Sequence, residues 1–140
     1  MAAFGEIAKI RRLAVENLQK ELQIVQSDIF QTEGKIETLK DELSRLPRPE
    51  SGGAAELAVF CENSRIYRRD IKSMSRELFT LRQKAFQVRF RIKNAQIEFE
   101  KANHLDKEEK AQAALFARKN EEKQLGETVS NMRYVGGRTT

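Results

Sequence analysis

Read from Phe4, the chain returns to the same face at alternating steps of four and three residues. The positions are Phe4, Ala8, Arg11, Val15, Leu18, Leu22, Val25, Ile29, Thr32, Ile36, Leu39, Leu43 and Leu46, and only Arg11 and Thr32 are polar. A mean step of about 3.5 residues keeps one stripe of a slightly underwound helix against a partner, which is the signature of a coiled-coil seam. Pro47-Arg48-Pro49-Glu50-Ser51-Gly52-Gly53 then interrupts the pattern. Two prolines remove amide donors and two glycines permit positive φ, so the helix ends and the chain can reverse. Ser51 or a neighbour is positioned to cap the next helix.

The same alternation resumes with Leu57, Phe60, Ser64, Tyr67, Ile71, Met74, Leu78, Leu81, Ala85, Val88, Ile92, Ala95, Phe99 and Ala102. Two seams flanking a short breaker predict an all-α fold, an antiparallel two-helix coiled-coil hairpin. The expected organisation is a single coiled-coil domain over 1–140. Helix one spans about 4–46, the loop 47–53, and helix two about 54–132, before a tail over 133–140 that should fray. If Leu46 lies near Leu57, facing residue numbers add to about 103, which sets Phe4 against Phe99. The expected role of every seam residue, Phe60 and Tyr67 included, is packing.

Beyond Ala102 the pattern changes. Continuing it would place Asp106 and Glu109 in the seam, and the later apolar residues Leu105, Leu115, Phe116, Leu125, Val129 and Met132 are less regularly spaced. No proline occurs there, and Ala111-Gln112-Ala113-Ala114-Leu115 favours helix. The second helix is therefore expected to extend beyond the first as an overhang, with a fold-back at Asn103-His104 as the alternative. An overhang with apolar residues and nothing to cover them is suited to binding.

Phe79, Phe86, Phe90 and Ile97 fall off the second seam. At about 100° per residue their stripe lies roughly 150° from it. By the facing rule they lie alongside Ile7, Ile10 and Leu13, which also stray from their seam. Either a third helix (a folded tail or a second molecule, making a homo-oligomer) covers this face, or it docks another protein. Charge follows the same region. Arg65, Arg68, Arg69, Lys72, Arg76, Arg82, Lys84, Arg89, Arg91 and Lys93 meet only Asp70 and Glu77, ten cations against two carboxylates, whereas the whole chain carries +5. Helix one mixes both signs opposite this block and cannot neutralise it. A basic face either solvates the hairpin or attracts acidic partners. No nucleic-acid motif accompanies the charge, so nucleic acid is not the expected partner.

Composition adds exclusions. Charged residues make up 34% and hydrophobic residues 39%, a mix that suits long solvated helices with a thin core. No apolar run approaches membrane-spanning length, and the N-terminus lacks the pattern of a secretory signal. Cys61 is the only cysteine, which suits a reducing, cytoplasmic setting. His104 is the only histidine, so no zinc set or Cys-His nucleophile pair can be assembled from it and Cys61. Gly52-Gly53 lacks the Lys-Ser/Thr of a phosphate-binding loop. Paired carboxylates such as Glu108-Glu109 lie in a charged helix with no concavity to perturb them. The expectation is a binding protein without cofactor, metal or catalytic residues.

Three segments carry a resemblance to a known family. They are Ile7-Ala-Lys-Ile-Arg-Arg-Leu-Ala-Val-Glu, Leu57-Ala-Val-Phe-Cys-Glu-Asn after the loop, and Ala117-Arg-Lys-Asn-Glu-Glu-Lys-Gln-Leu-Gly-Glu near the end. Together with the shorter first and longer second helix, they make the chain similar to the flagellar FliJ family, soluble components of the bacterial type III export apparatus. The resemblance implies a stalk inserted into the hexameric export ATPase, contact with the export gate protein, and escort of export chaperones. It places the protein at the membrane only through those partners. By position it assigns ATPase binding to Ile7, Arg11, Arg12, Arg118, Lys119, Lys123, Leu125 and Met132. Gate contact falls to Leu39, Leu43, Leu57 and Phe60, and Phe79, Phe86, Phe90 and Ile97 remain a further partner patch. The equivalent injectisome stalk, and a coiled-coil adaptor or tether dimerising through the Phe stripe, are the alternative readings.

Overall fold

The computed structural model describes residues 3–50 and 52–138. Two helices make up the fold, α1 over Ala3–Ser44 and α2 over Ala54–Arg138, and they pack as an all-α helical hairpin. Helix α1 ends where Arg45 and Leu46 donate backwards to the Asp41 and Leu43 carbonyls, at 3.0 and 3.3 Å, just before Pro47. The Ser44 hydroxyl also donates to the Asp41 carbonyl at 2.7 Å. The first bond of α2 runs from the Leu57 amide to the Gly53 carbonyl at 3.2 Å, so Gly53 opens that helix. Ser51, named with its neighbours as a cap candidate from sequence, lies outside the described residues. Neither Gly52 nor Gly53 takes a positive φ. The reversal therefore rests on the two prolines and the non-helical length around them, without left-handed glycine. Helix α2 continues through the stretch expected to fray as far as Arg138; Thr139 and Thr140 lie outside the described residues.

Contacts divide the chain into two compact units. Unit 2 comprises Ala14–Asn94, and unit 1 comprises Met1–Leu13 with Ala95–Thr140. In unit 2 the seam is the core. Val15, Val25, Thr32, Ile36, Ser64, Ala85 and Val88 are buried, and the larger Leu18, Leu22, Ile29, Ile71, Met74, Leu78 and Leu81 are half-buried. Nearly every other position is exposed, as a two-helix stripe requires. Three cross-helix contacts set the register: Arg82 to Glu33 at 3.1 Å, Arg91 to Glu21 at 3.7 Å, and Tyr67 beside Glu42. These pairs fall about one heptad beyond the spacing expected from the loop. Leu57 shows the consequence. The reversal uses up the residues that would have faced it, and it is 52% exposed.

Unit 1 carries the same displacement. Arg11 reaches Glu98, so Phe99 lies near Arg11 and Phe4 is not its partner. The seam also runs further along α2 than its apolar pattern suggests. Asp106 is buried, its carboxylate held by Lys110 at 3.0 Å one turn on, and Glu109 is half-buried. A carboxylate can occupy a seam position when a cation on the same helix satisfies it. From Ala111 through Arg133 every residue is exposed, so the overhang is present and the fold-back at Asn103-His104 is not.

Val25 and Val88 are the largest side chains that are almost fully enclosed. Val25→Asp should cost about 3 kcal/mol or more, because it strands a carboxylate in the seam of unit 2. Ile24→Asp, one residue away on the exposed flank, should stay within about 0.5 kcal/mol of wild type. Thermal unfolding followed by circular dichroism separates the two; equal melting would contradict the seam.

Candidate functional site

Helix faces left uncovered by the seam are the candidate surfaces. In unit 2, Phe79, Phe86 and Phe90 are 63%, 70% and 59% exposed, a stripe on the outer side of α2. Helical geometry sets Arg68, Lys72, Arg76, Arg82, Arg89 and Lys93 on or beside this stripe, while Asp70 and Glu77 point elsewhere. Arg82 is engaged with Glu33, Arg91 with Glu21, Arg65 with Glu62 at 2.8 Å and Arg69 with Asp70 at 3.6 Å. Arg68, Lys72, Arg76, Lys84, Arg89 and Lys93 form no ion pair among the described residues. The basic block is thus partly neutralised, and its aromatic face keeps a surplus of free cations. Ile97, grouped with the Phe residues from sequence, belongs to unit 1, as do Ile7, Ile10 and Leu13.

Near the loop, still in unit 2, an open groove of about 460 Å³ is lined by Leu46, Pro47, Pro49, Val59, Phe60 and others. Two of the four residues for which the family resemblance implied gate contact lie at this end with surface to offer: Leu57 is exposed and Phe60 lines the groove. Leu39 and Leu43 are half-buried in the seam. Val59, at 61% exposure, is a groove residue that sequence reasoning missed. Its signal was an apolar position two residues past the seam residue Leu57, in the first turns of α2 after the proline-containing loop. Phe30, 77% exposed on α1, was also missed because the seam pattern passes over it.

In unit 1, Arg11 donates to the Glu98 carboxylate and to the Glu98 carbonyl, the latter at 3.3 Å. This bond from Arg11, with Lys101 beside it, holds the Glu98 carboxyl below the usual carboxylate range. Arg11 is therefore committed within the fold, and Arg12 also has a partner in the chain. Ile7, Ile97 and Leu105 sit at the edge of exposure, at 38%, 41% and 42%. Arg118, Lys119, Lys123, Leu125 and Met132 all lie on the exposed extension. His104 faces Glu108 at 3.2 Å. Among the described residues no cluster of three His, Cys, Asp or Glu could hold a metal ion, and no helix is long and apolar enough to cross a membrane.

These features define an all-α helical-hairpin protein whose notable surfaces are long charged and apolar helix faces. Its particular family is shown by comparison: the family model described as flagellar FliJ protein matches residues 1–138. The chain belongs to the FliJ family and is a component of the flagellar export apparatus. No curated protein and no solved structure matches it.

The Arg11–Glu98 pair gives a pH prediction. A depressed carboxyl contributes stability above the pKa of the unfolded chain and loses it as pH falls through the folded value. Unit 1 should therefore loosen on acidification below the ordinary carboxylate range. In Arg11→Ala the Glu98 carboxyl should titrate at higher pH than in wild type, read by carbon-13 NMR. An unchanged titration would mean that the pair does not form in solution.

Proposed function

We propose that the protein acts as a non-catalytic stalk of the flagellar export apparatus, binding the hexameric export ATPase through the bare extension of α2. The observation that carries this reading is the run from Ala111 to Arg133, helical and exposed on all sides. Without packing of its own, this run depends on helix propensity and on its continuity with the paired part of α2, and a partner covering it would add the burial it lacks. Arg118, Lys119 and Lys123 supply cations, and Leu125 and Met132 supply apolar anchors, to the walls of a central pore. Ile7, with Arg11 and Arg12 on α1 of the same unit, completes this end. Arg11 acts there as a brace through Glu98 rather than as a free cation.

The loop end then serves the export gate. Leu57, Phe60 and Val59 with the proline-lined groove offer an apolar contact, while Leu39 and Leu43 stay half-buried in the seam of the same unit. Export chaperones are the remaining partners, and the basic Phe79, Phe86 and Phe90 face suits an acidic amphipathic surface among these components. Function at the cytoplasmic side of the membrane follows from these partners. The tether that dimerises through this Phe stripe is the second reading, supported by the exposure of three Phe on one face.

Co-purification with the hexameric export ATPase tests the stalk. The full chain should promote hexamer formation or raise ATP turnover severalfold, and Arg118→Glu/Lys123→Glu should lose most of the effect while keeping wild-type helicity. No effect of the full chain on the ATPase would remove the stalk reading. For the tether, light scattering of wild type and Phe86→Ser decides. Loss of a dimer mass in Phe86→Ser alone would favour it.

A further inference from the structure

The α2 extension contains a second heptad pattern, out of phase with the hairpin seam. Leu115, Arg118, Glu122, Leu125, Val129 and Met132 recur at steps of three and four, and every one is exposed. This alternation defines a helix stripe able to pair with another helix. Its two polar members are a cation and a carboxylate at its middle. Arg118 and Glu122 are spaced one turn apart, yet neither takes part in an ion pair among the described residues.

We propose that this stripe pairs with the same stripe of a second copy of the chain, antiparallel, to form a reversible dimer. The placement of charge selects the occupant and its direction. When two copies run antiparallel about a two-fold axis near Asn120, Arg118 of each meets Glu122 of the other. In that register Leu115 meets Leu125, and Ala111 meets Val129. Opposite charges therefore face each other in both central layers, and apolar residues face each other in the next two layers on each side, before Met132 reaches Glu108. A parallel dimer would set Arg118 against Arg118 and Glu122 against Glu122. Sliding the antiparallel pair by a heptad sets charges against leucine or valine. The sequence is thus complementary to itself in one arrangement.

The contact is short and its centre polar, and the flanks bring Glu121 and Lys119 each close to its own symmetry mate. Such a dimer is weak, with Kd on the order of tens of micromolar, and salt-sensitive. It covers Arg118 and Leu125. If the stalk reading holds, self-pairing and ATPase binding exclude each other, so a stored dimer would be opened by the ATPase. The dimer itself does not rest on that reading.

Charge exchange tests it. Sedimentation equilibrium of the full chain without ATPase should show a monomer–dimer equilibrium. Arg118→Glu alone and Glu122→Arg alone should each weaken it at least about tenfold, because like charges then face each other. The double exchange Arg118→Glu/Glu122→Arg should restore it to within about threefold of wild type. Phe86→Ser should leave it unchanged, and helicity by circular dichroism should be equal throughout. A wild-type chain that stays monomeric at several hundred micromolar would overturn the proposal. So would single variants that dimerise like wild type, or a double exchange that does not recover. A monomer that still activates the ATPase would sink self-pairing and leave the stalk standing.

Discussion

The seam between α1 and α2 is the interaction on which everything else depends. A two-helix coiled coil encloses a side chain from only a few directions, so complete burial is reserved for compact residues. In unit 2 those are Val25, Ala85 and Val88, and in unit 1 Ala102. Leucines at the same spacing remain half-open to water. Almost all apolar stabilisation is concentrated in one narrow line. Two charged groups on that line find near neighbours, whereas the half-buried Glu109 keeps one carboxylate oxygen without a hydrogen-bond partner. Arg11 is satisfied by Glu98 and Asp106 by Lys110, and both solutions use exposed flanking side chains that reach in toward the seam.

A core this thin leaves most of the surface with no structural duty. The faces that combine apolar and charged residues are therefore available for partners, and they differ in chemistry. The outer face of α2 in unit 2 is aromatic and cationic, the loop end is apolar and proline-lined, and the extension in unit 1 carries both signs of charge. Membership of the FliJ family sets these faces in the flagellar export apparatus. The proposed stalk divides these faces among different components of the export apparatus.

How much of this could be read from sequence depended on the range of the physics. Heptad spacing is local, and the seam residues from Phe4 to Leu46 and from Phe60 to Ala102 are buried or half-buried as their steps imply. Register is not local. Sliding one helix by a heptad preserves every apolar match, so spacing could not distinguish the expected alignment from the observed one. The choice lies with flanking pairs such as Glu33–Arg82 and with the length the prolines impose on the reversal. Asp106 was misleading for a related reason: its polarity suggested the end of the seam, whereas Lys110 one turn later makes it tolerable there. The Phe stripe was legible because it breaks the period. The groove beside Pro47 and Pro49 was not, since it exists only once the chain has turned. The second pattern in the extension escaped notice because its phase differs from the first.

The seam fixes the hairpin and leaves the α2 extension exposed over 111–133. Hydrogen exchange of the chain at low micromolar concentration, with and without the hexameric export ATPase, tests it most directly. Amides of 14–44 and 64–94 should exchange slowly in both conditions. Those of 111–133 should exchange fast alone and become protected when the ATPase is added. Protection of the extension equal to that of the seam in the free monomer, or ATPase-induced protection confined to the loop end, would contradict the account.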